Sequence, residues 1–202
     1  MYTKCLYCNE NINKYTLYGL LIEHDQLCLS CRSKMKYHHI KFKLDDLEVE
    51  SFYEYDSLFK DILLQYKECY DEALKDIFLY KIIDYLKLKY ADYEILYVPS
   101  SKTKIEERGF NHLKNIFEQL GLNEVKGLKM IEDISQFGKN YIERCAMLKN
   151  YVYEGQKLNK VLIVDDVFTS GSSLKGVYDV IKKNCRQCKA IVLAKTWKNE
   201  KC

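Results

Sequence analysis

The stretch Val161-Leu162-Ile163-Val164-Asp165-Asp166-Val167-Phe168-Thr169-Ser170-Gly171-Ser172-Ser173 decides the fold. Its run of branched apolar residues is short enough for a strand buried on both faces, as in the middle of a parallel sheet. The two acids stand where that strand is expected to run out. A turn of small hydroxylated residues and one glycine follows, and then the polar start of a helix. Unpaired backbone N–H groups at a helix start converge on an anion, and the helix dipole favours it. Small side chains let a phosphate approach that backbone. Asp165 and Asp166 would then reach hydroxyls on the carrier of the phosphate, or its magnesium. Singly, acidic strand ends and small-residue turns are common; their order and spacing carry the signal. No Gly-Lys-Ser/Thr follows the turn, so it is not a nucleotide P-loop.

Upstream, Ile95-Leu96-Tyr97-Val98 reads as a second short buried strand that runs into Pro99-Ser100-Ser101-Lys102. A proline at a strand's carboxyl end, followed by small hydroxyls and a lysine, marks a tight turn at the sheet edge where open α/β folds bind ligands. Next come Lys104-Ile105-Glu106-Glu107-Arg108-Gly109-Phe110-Asn111-His112-Leu113 and a periodic helix through Ile116, Phe117 and Leu120. Arg108 can clamp a phosphate with two parallel hydrogen bonds, or can pair with Glu106 or Glu107. Arg144 has the same capacity for phosphate, and Gln136 offers a donor and an acceptor for an amide or base edge. Earlier, Leu58, Ile62, Leu63 and Tyr66 form one helical stripe, and Leu74, Ile77, Phe78, Ile82, Tyr85 and Leu86 a second. Lys67, between them, reads as a surface lysine near a helix end. After the loop, Leu174, Val177, Tyr178, Val180 and Ile181 mark an amphipathic helix ending near Asn184, and Ala190 to Ala194 a buried strand.

The amino-terminal segment carries Cys5-Leu6-Tyr7-Cys8 and Cys28-Leu29-Ser30-Cys31. Two such knuckles set four thiolates in a tetrahedron around zinc, with room between them for a hairpin such as Tyr15 to Ile22. Four thiolates leave no open position, so this metal is structural; His24 is a surface histidine. Cys185 and Cys188 form a further pair with no second pair to complete a site. The run from Arg32 to Lys43 is basic with interleaved aromatics, which suits either a solvated linker or a track for a nucleic-acid backbone. Trp197, among the lysines at the carboxyl end, is either a stacking platform for a base or part of a frayed terminus.

At 202 residues the chain accommodates one α/β domain and a small appended module. The expected division is a four-cysteine zinc ribbon over 1–40 and an α/β domain, with a mainly parallel sheet flanked by helices, over 41–202. A formal net charge of +3 neither demands nor excludes nucleic acid. Nine cysteines with no apolar leader read as thiols and metal ligands in a cytoplasmic protein. No run approaches the roughly 18 apolar residues that span a bilayer.

The acidic pair and its loop resemble the signature of type I phosphoribosyltransferases. Adding the zinc knuckles, the Tyr66-Lys67 junction, the Val98-Pro99 turn, Glu107-Arg108-Gly109-Phe110-Asn111, Gln136 and Arg144 makes the chain similar to the ComF family. These are competence proteins with a zinc knuckle before a phosphoribosyltransferase-like domain. The resemblance implies that Asp165 and Asp166 hold ribose hydroxyls, as the catalytic acids of any transfer, and that Thr169, Ser170, Gly171, Ser172 and Ser173 cradle a 5-phosphate. It implies that Ser100, Ser101 and Lys102 face pyrophosphate, with Arg108 as a further phosphate contact, and that Gln136, Arg144 and Trp197 touch ligand or DNA. The implied ligands are phosphoribosyl pyrophosphate with Mg2+, single-stranded DNA, and a ComFA-like helicase or translocase of the uptake machinery. Serines at 170, 172 and 173 stand where threonine and alanine are frequent. The implied role is DNA uptake in natural transformation; the alternatives are an active phosphoribosyltransferase acting on an unidentified base, and a scaffold with a vestigial phosphoribosyl site.

Overall fold

A computed structural model of the chain describes residues 3–12, 25–131 and 151–196. Among these, five strands form one sheet in the order β1-β2-β7-β6-β3. They are β1 (Tyr37–Leu44), β2 (Leu47–Glu54), β3 (Glu94–Tyr97), β6 (Leu158–Phe168) and β7 (Cys185–Lys195). Only the β1/β2 hairpin is antiparallel; β2, β7, β6 and β3 run parallel. A small antiparallel pair, β4 (Leu128–Met130) and β5 (Tyr151–Tyr153), stands apart from it. The expected α/β class with a mainly parallel sheet is therefore borne out.

Burial follows from this order. Val161, Leu162, Ile163 and Val164 of β6 are fully buried, although alternate side chains leave a strand on opposite faces. Both faces of the sheet must be covered there. Helices α6 (His112–Phe117) and α7 (Ser172–Ile181) both pack on β6. Parallel pairing brings the carboxyl ends of β3, β6, β7 and β2 to one edge of the sheet, through Tyr97 against Val164, Phe168 against Lys195, and Glu54 against Lys195.

The first helical stripe is α2 (Ser57–Glu68), capped by Asp56, whose side chain accepts from Phe59 N at 2.9 Å. The second stripe does not form one helix. It divides into a 3-10 turn (Glu72–Leu74), α3 (Lys75–Leu79) and α4 (Ile83–Lys89). Ile77 O accepts from Arg32 Nη1 at 3.2 Å, and α3 stops two residues later.

The run expected as a linker or a nucleic-acid track is ordered differently. Its beginning closes α1 (Leu29–Lys34), and its remainder is the edge strand β1. The strand period was present in Ile40-Lys41-Phe42-Lys43-Leu44, where the apolar residues are half-buried and the lysines exposed. Arg32, expected to meet phosphate from this run, lies 1% exposed. Its Nε and Nη2 donate to Asp25 at 2.7 and 2.6 Å, and its guanidinium lies 5.0 Å from the centre of the Tyr80 ring. With its charge matched beneath the surface, Arg32 locks the cysteine-bearing segment onto the main core. Gln26 Nε2 donating to Asp76 (3.3 Å) and Gln65 Nε2 donating to Leu6 O (3.4 Å) add to that seam. The hairpin expected at Tyr15 to Ile22, and His24, lie outside the described residues.

Removing one member of a buried ion pair leaves an uncompensated charge, at a cost of about 3–5 kcal/mol. Asp25→Ala should lower unfolding stability by about that amount in urea titration, and Arg32→Met on top of it should recover much of the loss. A stability change below about 1 kcal/mol in Asp25→Ala would show that the pair does not hold the seam.

Candidate functional site

The polar residues of the carboxyl edge gather around the end of β6. The strand does not run out at the acids, as the sequence suggested; pairing with β7 keeps it extended through Phe168, and Thr196 N donates to Phe168 O at 3.1 Å. Asp165 and Asp166 are thus neighbours within a strand, and the pleat turns their side chains to opposite faces. The two carboxylates have different surroundings.

Asp165 lies on the side of the loop. With Val167, Phe168 and Thr169 to Ser173 it lines a shallow, open hollow. The loop keeps its shape for local reasons. Gly171 has φ +74, and a Cβ there would lie 2.6 Å from the Phe168 ring, so only glycine fits between Ser170 and α7. Ser170 Oγ accepts from Ser172 N at 3.4 Å and lies 3.1 Å from Ser172 Oγ. The amino end of the ten-residue α7 opens into this loop.

Asp166 is 9% exposed and belongs to a buried cluster on the other face. Its Oδ2 accepts from Lys67 Nζ, and lies 2.9 Å from His112 Nε2. Its Oδ1 accepts from Val167 N at 2.6 Å. His112 Nδ1 lies 3.5 Å from both Arg108 Nη1 and Ser100 Oγ. The Pro99 turn is thereby tied to the acidic pair through one imidazole. Two donors on the Nδ1 side and a carboxylate on the Nε2 side fit the neutral ring that carries its proton on Nε2. Burial, reinforced by the charges of Lys67, Arg108 and Lys104, pushes the His112 pKa down to about 2. The nearby carboxylate does not outweigh them. Burial, with Arg108 and Lys104, likewise lowers Lys67 to about 8, against the opposing pull of Asp165.

The Glu107-Arg108-Gly109-Phe110-Asn111 string is the joint that assembles this cluster. Ser101 caps α5 (Lys102–Arg108), its Oγ accepting from Lys104 N at 3.4 Å. Gly109, at φ +78, ends that helix, and Asn111 starts α6 by accepting from Lys114 N at 3.2 Å. Arg108 and His112 therefore flank one tight corner. Arg108 pairs with neither Glu106 nor Glu107: its Nη2 donates to Glu68 at 3.0 Å and its Nε to Lys67 O at 3.1 Å. Its side chain is 7% exposed. Lys102 is exposed at the start of α5. Gln136, Arg144 and Trp197 lie outside the described residues.

Lys67, expected as a surface lysine, is instead largely buried against Asp166, and His112 had been given no role. A signal was available, since Lys67 stands four residues after Leu63 and His112 four before Ile116, both on core-facing stripes. A basic residue at an apolar position needs a buried partner.

Away from the sheet edge, the sulfur atoms of Cys5, Cys8, Cys28 and Cys31 all lie within 4.8 Å of one another, with Cys8 and Cys28 at 3.6 Å. A tetrahedral zinc with Zn–S bonds of about 2.3 Å needs sulfurs roughly 3.8 Å apart. The four thiols could bind such an ion, and would leave it no open position. Among the described residues no helix is long and apolar enough to cross a membrane.

No family model matches the chain. It is similar to two curated proteins named competence protein ComFC. That of Streptococcus pneumoniae is 24% identical over 208 residues, spanning 89% of this chain and 94% of the relative. That of Bacillus subtilis is 25% identical over 206 residues, spanning 84% and 85%. The likeness to the ComF family read from scattered motifs thus extends along most of the chain.

A neutral His112 predicts ring-nitrogen chemical shifts of the Nε2–H tautomer, unchanged from pH 8 to pH 5. The unfolded chain takes up a proton near pH 6.5 that the folded cluster refuses, so this residue makes stability fall as pH drops below that value. Imidazolium shifts at pH 6 would show instead that His112 and Asp166 form a charged pair.

Proposed function

We propose that the protein serves DNA uptake in natural transformation, and that its sheet-edge cleft binds a phosphoribosyl compound such as phosphoribosyl pyrophosphate with Mg2+. The competence role rests on the two ComFC relatives. The observation that carries the ligand reading is the conjunction at the end of β6: a glycine-bent hydroxyl loop opening α7, with a carboxylate on the wall of the same hollow. In this reading the backbone and hydroxyls of Thr169 to Ser173 hold the 5-phosphate, assisted by the helix dipole. Asp165 accepts from a ribose hydroxyl; Asp166 is the second acceptor. Ser100, Ser101, Lys102 and Arg108 form the far wall, toward the pyrophosphate.

Single-stranded DNA is the second proposed ligand. What supports it is a basic, aromatic margin beside the phosphate loop. Lys195 Nζ lies 4.8 Å from the Phe42 ring centre, and Phe42 packs edge-on against Phe168 at 4.8 Å. The edge strand β1 presents Lys41 and Lys43 to solvent on its other face, so the basic surface continues around the sheet edge. Such a margin can follow a phosphate backbone and stack bases with little regard to sequence. A ComFA-like helicase or translocase is the partner this role calls for. The four cysteines hold one structural zinc, which supplies much of the folding free energy of so small a segment.

Titration should give binding of phosphoribosyl pyrophosphate that Asp165→Asn/Asp166→Asn weakens at least about tenfold, the effect of one lost charge-assisted hydrogen bond. Single-stranded DNA should bind with an affinity that falls steeply with salt and falls further in Lys41→Glu/Lys43→Glu. Wild-type binding of neither ligand would refute the reading; pyrophosphate release with magnesium and a panel of bases would make the protein a transferase as well as a binder. Metal analysis should find one zinc per chain, reduced in Cys28→Ser/Cys31→Ser. Metal-free protein of unchanged stability would remove the zinc assignment.

A further inference from the structure

Lys67 is the one member of the Asp166 cluster whose charge the packing does not otherwise need. The end of α2 is already tethered without it. Tyr66 Oη donates to His112 O at 3.0 Å, Arg108 Nε donates to Lys67 O at 3.1 Å, and the Tyr66 and Phe110 rings pack at 5.3 Å. Yet the Lys67 ammonium, 17% exposed, reaches across the fold to a carboxylate ninety-nine positions away. A methionine of similar length would fill the space without the desolvation that a buried ammonium suffers.

Its contact also competes with a ligand. Oδ2 of Asp166 already accepts from Lys67 and His112, and Oδ1 is held by Val167 N. Both lone pairs of Oδ2 are thus engaged, so a sugar hydroxyl reaches that oxygen only by displacing a partner, and Lys67, on the flexible side chain, is the one free to move. The displaced ammonium then needs another anion nearby. Arg108 and Lys104 bring positive charge to the same cluster, opposed by the carboxylates of Asp165 and of Glu68, which Arg108 already pairs; with Asp165 engaged by the sugar as well, a ligand anion is the partner left for the ammonium.

We propose that Lys67 is a ligand-exchange residue: it neutralises Asp166 while the cleft is empty, and passes to the diphosphate of a phosphoribosyl diphosphate when the sugar takes Asp166. The inference rests on the phosphoribosyl reading of the cleft and adds to it the way diphosphate is told from monophosphate. A ligand without the diphosphate displaces Lys67 and offers it nothing. A ligand with it satisfies both charges at once.

The test compares Lys67→Met with wild type on three probes: ribose 5-phosphate, phosphoribosyl pyrophosphate with magnesium, and inorganic pyrophosphate with magnesium. The variant should bind ribose 5-phosphate no more weakly than wild type, and the two diphosphates about 10–100-fold more weakly, the range expected for one lost charge-assisted hydrogen bond. Lys67→Arg should recover part of the loss. Equal affinities of wild type and Lys67→Met for the diphosphates, or an equal loss on all three probes, would overturn the proposal. Wild type that binds pyrophosphate but neither ribose compound would sink the phosphoribosyl reading, and with it the exchange, while leaving an anion site. Should Lys67→Met not fold, the comparison of Asp166→Asn/Lys67→Met with Asp166→Asn on pyrophosphate asks the same question with no unpaired carboxylate. Equal pyrophosphate affinity in that pair would also overturn the proposal.

Discussion

A strand buried on both faces can keep its polar residues only near its ends, because nothing in the middle of the sheet can hydrate them. β6 is held between β3 and β7, with Val161 to Val164 fully buried. Asp165 and Asp166 are the first positions past that apolar run. Parallel pairing with both neighbours then brings the Pro99 turn and the Thr196 region to the same edge. The cleft is a consequence of this one constraint. Were β3 antiparallel to β6, Pro99 would lie at the opposite edge, and Ser100 could not meet the imidazole that touches Asp166.

Charge buried away from solvent is the second organising feature, and each instance is matched. Arg32, its charge matched by Asp25, fastens the cysteine segment to α3 through Ile77 O. Asp166 with Lys67 and His112 joins α2 and α6 to β6. Glu50 of β2, 5% exposed, accepts from Lys89, from the Tyr85 and Tyr90 hydroxyls at 2.8 and 2.9 Å, and meets His39 Nε2 at 2.8 Å. Burial by itself would raise the Glu50 pKa, but the hydrogen bonds from Lys89, Tyr85, His39 and Tyr90 hold it down to about 2. Such clusters add less to stability than hydrophobic groups of the same volume, yet breaking one partner is expensive. They fix which elements meet, and the cluster at Asp166 does so where a ligand can compete for one of its members.

The two acids illustrate how a motif and its geometry differ. As a string, Asp165-Asp166 suggests a pair acting together at a strand end. In the sheet, the pleat gives one carboxylate to the loop hollow and the other to a buried cluster. Arg108 follows the same pattern. The string Glu106-Glu107-Arg108 offered two local acids, but the arginine turns back across the Gly109 corner to Glu68 and the backbone of α2. The basic run before Asp45 carried a strand period all along, obscured by histidines and lysines that an edge strand tolerates on its exposed side.

Local chemistry was enough to determine several things from the sequence alone: the paired cysteine spacing, the buried strands at Ile95 and Val161, the glycine-bent loop before α7, and the stripe of α2. Each depends on residues within a few positions of one another, where period and turn chemistry act directly. The break of the second helical stripe, the burial of Arg32, and the meeting of Lys67 with Asp166 were decided only in the tertiary structure. Those outcomes turn on partners tens of residues away. A lysine in a sequence has no sign of whether water or a carboxylate will solvate it; only the packed chain, by excluding water from the end of β6, makes that choice.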